Sequence, residues 1–450
     1  MDWNEPFFLE MRVQEIISQQ QENGFKFDVK KANLLVEWIK KEQKRLDKKI
    51  RPHLTFNVSA PFTVPVSKPF LKNGDYRSSV LSWYEDSSDI VSGPFSRVEF
   101  LEPNLDSDPQ LKKQLFYLGW KPDEWNYKRD VNKKVIYDRK TKEAIQTSPK
   151  LTESSYDSLK VGIGPEIARF LILSHRKSQV EGFLKNVRED GCIPGEANTI
   201  GTPTYRFRHK KIVNVPKAKN SVLLGKEMRS LFIARPERVI VGHDASGLEA
   251  RCEAHNTYSI DADYALELIH GDSHQRNADK WNVDRDKAKN GKYALGYGAY
   301  PPKLSKTLGI SKRKAQHIFD TFWSDDNPLY TLKRRLEWEN KKYGYIEGLD
   351  GRKIFVRKKS DLINYKFQSD GAILMKRSIV MLDDLVKEFS VDALKVLDQH
   401  DEGQHDVIPE QAHLFGSLAV LSIRKAGEYY NLNIPLDAEY KIGNSWAETH

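Results

Sequence analysis

Two cysteines in 450 residues, Cys192 and Cys252, cannot build a disulfide framework or a spaced thiolate metal site. Long apolar runs are also missing. No uncharged stretch approaches the length of a membrane-spanning helix. The opening residues, Met1-Asp2-Trp3-Asn4-Glu5-Pro6, carry acids and no apolar core, so nothing there reads as a secretory leader. A reducing, aqueous setting follows, expected to be the cytoplasm, with no membrane partner. The histidines supply no zinc set. His400 and His405 lack a third ligand, and His270 and His274 enclose Gly271-Asp272 where a zinc-protease helix needs Glu. His243 reads as structural. A glycine-rich phosphate loop and a Ser-His-Asp pattern are absent too.

Acid is missing locally rather than globally. The net charge is +9, and residues 197–226 contain seven Lys or Arg and no Asp or Glu. Residues 287–319 hold eight basic residues and again no acid. A positive potential concentrated in two places favours a polyanionic partner. With 39% apolar and 11% aromatic residues the chain is globular rather than disordered, and its length predicts two to four subdomains.

Periodicity predicts a helix over about 10–21 stopped by Gly24, and a second over 30–50, the two forming an antiparallel pair. Residues 54–105 read as an irregular insertion rich in Pro, Ser, Gly and aromatics. Ser107-Asp108-Pro109 opens a helix that Gly119 closes, 121–155 is loop-rich, and a long helix covers 165–189. Further on, 361–387 and 411–430 are helical. Two short strands, 394–399 and 404–409, meet at His400-Asp401-Glu402.

The chemistry lies in three places. The apolar run Val239-Ile240-Val241 ends in Asp244-Ala245-Ser246-Gly247-Leu248-Glu249, and Asp401-Glu402 stands at the tip of the later strand pair. Carboxylates on rigid elements are what a pair of divalent ions needs for phosphoryl or nucleotidyl transfer, and hard oxygen ligands favour magnesium. Between them Arg285, Lys289 and Tyr293 fall four residues apart on one helix face, two cations for phosphate and a ring for a sugar or base. Gly291 in that helix implies a neighbour that needs the space. Arg206, Asn364 and Gln368 are suited to the minor groove, whose acceptors occur in every base pair. Each motif alone reads first as something blander: a solvated turn, a solvated helix face, a surface amide.

Together, in this order and at these separations, the three motifs resemble those of family A DNA polymerases, relatives of bacterial DNA polymerase I. Asp244-Ala245-Ser246-Gly247-Leu248-Glu249-Ala250-Arg251 resembles motif A, Arg285 through Tyr293 to Tyr297-Gly298 motif B, and His400-Asp401-Glu402 motif C. The tail Lys441-Ile442-Gly443-Asn444-Ser445-Trp446-Ala447-Glu448-Thr449-His450 is similar to that of the replicative polymerases of T-seven-type short-tailed bacteriophages. Two departures stand out: Tyr205 where relatives usually have Gly, and Gly291 where they have a larger residue.

The resemblance implies an α+β right hand. Residues 1–189 would be the thumb with its insertion at 54–105. The fingers would be 251–344, and the palm 190–250 with 345–450, around an antiparallel sheet. It implies that Asp244, Asp401 and the backbone carbonyl of Ala245 hold two Mg2+ ions, with Glu402 as a second catalytic carboxylate. Arg285, Lys289 and His274 would hold the triphosphate, Tyr293 the incoming sugar, and Glu249 would crowd its 2′ position. Arg206, Arg229, Tyr297, Asn364, Gln368 and His400 would contact primer-template DNA. Expected partners are dNTPs, primer-template DNA and a processivity factor at the insertion; since thumb-like helices begin almost at Met1, an exonuclease is expected either as a separate chain or as a domain trimmed from this one. The polymerase itself is expected as a monomer. The rival readings are a phage-type RNA polymerase or reverse transcriptase, and a non-catalytic nucleic-acid-binding protein.

Overall fold

The computed structural model describes residues 4–64, 70–81, 95–131, 134–138, 141, 143–324 and 326–450. The chain divides into two compact units, one of residues 34–179 and one combining 1–33 with 180–450.

In the 34–179 unit the parts of the helices Val29–Ile50 and Gly164–Lys185 that belong to it lie antiparallel. Gln43 donates to Ser174 Oγ at 2.7 Å, while Lys49, further along its helix, pairs with Glu166, earlier on the other. Val36, Ile39 and Leu46 of the first and Ile167, Phe170 and Leu173 of the second are buried. This corrects the expected pairing of the two N-terminal helices, because the first has its apolar side satisfied elsewhere. The helix Asp108–Tyr117 starts after Ser107 as expected, and Gly119 follows its end at φ 81°. Residues 54–105 are less irregular than expected. Asn57–Val64 pairs antiparallel with Phe95–Leu101, with a register shift between Ser59 and Phe62. Pro61 lies in that shift and cannot donate to the ladder, which is also why the strand is hard to read from sequence. Residues 65–69 and 82–94 of the expected insertion lie outside the described residues.

The larger unit is built on a four-stranded antiparallel sheet. We number its strands β1 (Val239–Ala245), β2 (Ala393–Gln399), β3 (Glu402–Val407) and β4 (Ala438–Gly443); their spatial order is β2-β3-β1-β4. β3 is buried along its whole length, which places Gln404 and Asp406 inside as well as Val407. β2 and β3 are joined by the two-residue turn His400-Asp401. His400 has φ 65°, the left-handed backbone that a two-residue hairpin asks of its first turn residue.

Helices make up most of the rest of this unit. The longer ones, in chain order, are α1 (Asn4–Asn23), α2 (Leu248–Tyr258), α3 (Ala262–His270), α4 (Ser273–Trp281), α5 (Arg285–Gly296), α6 (Pro301–Leu308), α7 (Lys312–Phe322), α8 (Pro328–Tyr343), α9 (Leu362–Glu388) and α10 (Ala412–Tyr429). Leu382 and Leu385 of α9 meet Phe415, Leu418 and Ala419 of α10 over Val241 and Val407 of the sheet. α1 lays Leu9, Val13, Ile16 and Ile17 against Ile373, Ile379 and Val380 of α9. The α3–α8 group is punctuated by side-chain caps. Asp261, Asp272, Asp284 and Ser311 each accept from a backbone N–H three residues on, and Gly309 and Gly344 close helices at positive φ. The close approach expected at Gly291 is real: a Cβ there would lie 2.7 Å from Leu308 Cδ2 and 3.1 Å from Trp281 Cζ3.

Candidate active site

β1 is a central strand, and Asp244 near its end is held in register with Glu402 on one side and Glu439 on the other. The backbone N–H of Ala245 donates to the Asp401 carbonyl at 3.0 Å, which ties the β2–β3 turn to the end of β1. Two aspartates 157 positions apart thereby come together. The electrostatics report it: burial first, and then the charge of Asp401, push the Asp244 carboxyl up to about 7. Beneath it His243 is buried against His405, ring centroids 5.4 Å apart, a structural placement as expected.

Glu402 is placed differently. Its carboxylate is buried and ringed by donors: Trp446 Nε1 and Gln404 Nε2 on Oε1, and His450 Nδ1 at 2.9 Å from Oε2. The Arg229 guanidinium lies 3.8 Å from the same oxygen and 4.3 Å over the Trp446 ring. Burial alone would raise its carboxyl. The hydrogen bond and charge of His450, then Arg229 and Trp446, outweigh it and hold the group below the usual carboxylate range. Sequence reasoning missed His450, Trp446 and Gln404 as partners of this group. The tail was noticed only as a likeness, and nothing local says where it docks.

The expected triphosphate site forms a pocket of about 260 Å³ walled by Glu249, His274, Arg285, Tyr293, Tyr297 and Asn364 among others. Its helix wall is α5, which carries Arg285 and Tyr293 into the pocket, with Tyr297 just past its end; Lys289, on the same helix, is exposed. Arg285 Nε donates to Asp272 at 2.8 Å, so its fork is already engaged with a carboxylate. His274 is held below its ordinary range by burial and then by Lys292, Lys289 and Arg285. Tyr297 OH donates to both Glu249 oxygens at 3.1 Å, and the Tyr293 and Tyr297 rings stack 6.4 Å apart. Lys292 and Glu253, paired at 3.1 Å, also line this pocket and were not anticipated.

Arg206, His400 and Asp401 line one small hollow together. Gln368 accepts weakly from Thr204 at 3.5 Å, and Asn364 keeps a buried Oδ1 without a partner. Arg229 stands apart from these groups, its side chain buried beneath Trp446. Tyr205, the departure before Arg206, has φ 59°, where glycine is at ease. Its OH donates to the Lys353 carbonyl at 2.8 Å and the Arg352 guanidinium covers its ring at 4.7 Å, contacts that hold the strained backbone. Among the described residues no group of three or more His, Cys, Asp or Glu side chains forms a metal cage, and no helix is long and apolar enough to cross a membrane.

Comparison with known proteins bears on the family and the fold. The family model described as DNA polymerase family A matches residues 94–448. A DNA-directed DNA polymerase of Escherichia phage Phieco32 is 24% identical, with 99% of each chain covered. That of Escherichia phage T7 is 26% identical over 98% of this chain and 70% of its own. That of Enterobacteria phage T3 is 28% identical over 81% of this chain, which spans only 55% of it. In fold, the chain is similar to the polymerase domain of Pol1 from M. smegmatis, solved in complex with DNA primer-template and dNTP. The TM-score is 0.72 at 18% identity, covering 98% of this chain and 70% of that one.

Proposed function

The chain belongs to DNA polymerase family A, and from that premise we propose that it carries out template-directed, primer-dependent DNA synthesis from dNTPs. The observation that supports this best is the convergence of Asp244 and Asp401 at the end of one sheet, in a unit whose α5 carries Arg285 and Lys289. In the reaction the primer 3′-hydroxyl oxygen forms a bond to the α-phosphorus of the dNTP. The bond to the bridging oxygen breaks, and pyrophosphate leaves. The four-stranded sheet is then the palm and α3–α8 the core of the fingers, with the 34–179 unit supplying most of the thumb.

The residues fit magnesium. A carboxyl whose proton affinity is raised by burial and by a second carboxylate, as that of Asp244 is by Asp401, favours an added cation. The sparse protein donor set suits an ion that takes one or two carboxylates and completes its shell with water and phosphate oxygens. Asp244, Asp401 and the Ala245 carbonyl would hold two such ions, which when bound stabilise charge on the attacking oxygen and the phosphate. On this reading Arg285 exchanges Asp272 for phosphate, and Lys289 and His274 add donors. Tyr293 carries the sugar, and Glu249, braced by Tyr297, excludes a 2′-hydroxyl. Arg206, Asn364, Gln368 and His400 face the primer-template. Arg229 serves that duplex only indirectly, through its hold on Trp446 and Glu402.

Primer extension with magnesium tests the reading. Wild-type protein should extend a primer with dNTPs and not with rNTPs. Asp401→Ala should show no detectable extension while primer-template affinity stays close to wild type. An Asp401→Ala protein that still synthesises DNA would overturn the assignment.

A further inference from the structure

The face formed by the end of α8 and the hairpin that follows has no part in the chemistry above. Trp338, Tyr343 and Phe355 are 57%, 49% and 62% exposed, far more than rings of that size usually are. They are not scattered. Trp338 and Tyr343 lie 6.1 Å apart, Tyr343 and Tyr345 6.0 Å, and Tyr345 and Phe355 6.1 Å, so four rings form one continuous strip. The hairpin orders its far end, because Ile346 pairs with Ile354 and leaves Tyr345 and Phe355 as the flanking residues.

Cations are threaded through the strip. Lys342 Nζ sits 4.6 Å from the Trp338 ring centroid and 4.8 Å from that of Tyr343, and Lys353 Nζ is 4.9 Å from that of Tyr345. Exposed Arg357, Lys358 and Lys359 follow directly. Residues 333–359 hold ten Lys or Arg against four Asp or Glu, a net +6. No large aliphatic side chain in that span is exposed. Rings set among a cationic excess, with Glu347 the one exposed acid of the hairpin, match a chain of bases and phosphates, since every base has a π-face and every linkage a charge.

We propose that this strip binds unpaired single-stranded DNA, the template strand ahead of the duplex. The proposal deepens the polymerase reading and rests on it. Three residues beyond Lys359, α9 begins, and its first turns carry Asn364 and Gln368, assigned above to the primer-template. The rings, the basic run and the residues assigned to the primer-template thus follow one another in a single stretch of the chain, residues 338–368.

The test is equilibrium binding of two primer-templates, one with a single-nucleotide 5′ template overhang and one with a long oligo-dT overhang. Wild-type protein should prefer the long overhang. Trp338→Ala/Tyr343→Ala/Phe355→Ala should lose that preference, with affinity for the long overhang falling about tenfold for each ring removed. Its affinity for the short overhang and its rate of single-nucleotide extension should be unchanged. Trp338→Phe, which keeps a π-face, should retain most of the preference and serves where the triple variant melts early. An unchanged preference in the triple variant, as for a surface reserved for a protein partner, overturns the proposal, and so does a wild-type protein indifferent to overhang length. Failure of the wild type to extend any primer would instead count against the polymerase reading, because overhang preference is read by binding alone.

Discussion

Glu402 shows how much one side chain depends on residues far from it in sequence. Burial penalises its charge, and only the donors from Trp446, Gln404 and His450, with the charge of Arg229, make the ionised form the stable one. Removing one donor from a buried carboxylate costs about 1–3 kcal/mol. His450→Ala should therefore lower the melting temperature measurably. It should also slow extension on the order of tenfold, the equivalent of one lost hydrogen bond, through kcat rather than KM for dNTP. Melting curves and steady-state extension check both. Tyr205 makes the complementary point: a residue at positive φ persists because its OH and its ring are both engaged.

At the scale of elements, the sheet positions the carboxylates and α10 holds the sheet. α10 can lie close because Gly416 faces the Tyr440 ring of β4, where a Cβ would fall inside contact distance of three ring atoms. The ring is rigid and cannot give way as the tip of a flexible side chain does. Gly416→Val should lift α10 from β4 and cost about 1–3 kcal/mol, as overpacking does. Thermal or urea unfolding measures it, and a variant as stable as wild type would show that the helix has room to shift. Elements also show where local pattern reading works. Pattern reading locates α9 and α10 to within a residue or two. The same reading puts α1 with the wrong partner, because periodicity reveals that a helix has an apolar side and not what covers it. The strand pair in 54–105 escapes it altogether, with Pro61 interrupting one ladder.

For the whole molecule the governing quantity is charge. Arg208, Lys210, Lys217 and Lys219, all in the first acid-free stretch, are exposed. If they meet phosphates, each releases a counterion on binding, worth about 0.9 in the slope of log K against log salt. Replacing all four with Gln should flatten that slope by about 3 to 4 units, measured by primer-template binding over a salt series. An unchanged slope would place the DNA elsewhere. The stretch 287–319 serves as the contrast. Lys287 and Lys292 there are paired with Asp284 and Glu253, so substituting them should change the slope less.

By itself the sequence determined the order of the three motifs, the local elements that carry them and the position of the two acid-free stretches. These follow from neighbours a few residues apart: periodicity, caps, turn residues and counted charge. Only the tertiary structure decided that the ends of β1 and β3 lie in one register, that the tail closes over Glu402, that Arg229 is buried, and that four rings form a strip. Those facts depend on contacts between residues tens to hundreds of positions apart. The hydrophobic force that brings them together has no direction of its own, so the partners emerge only when every surface is packed at once.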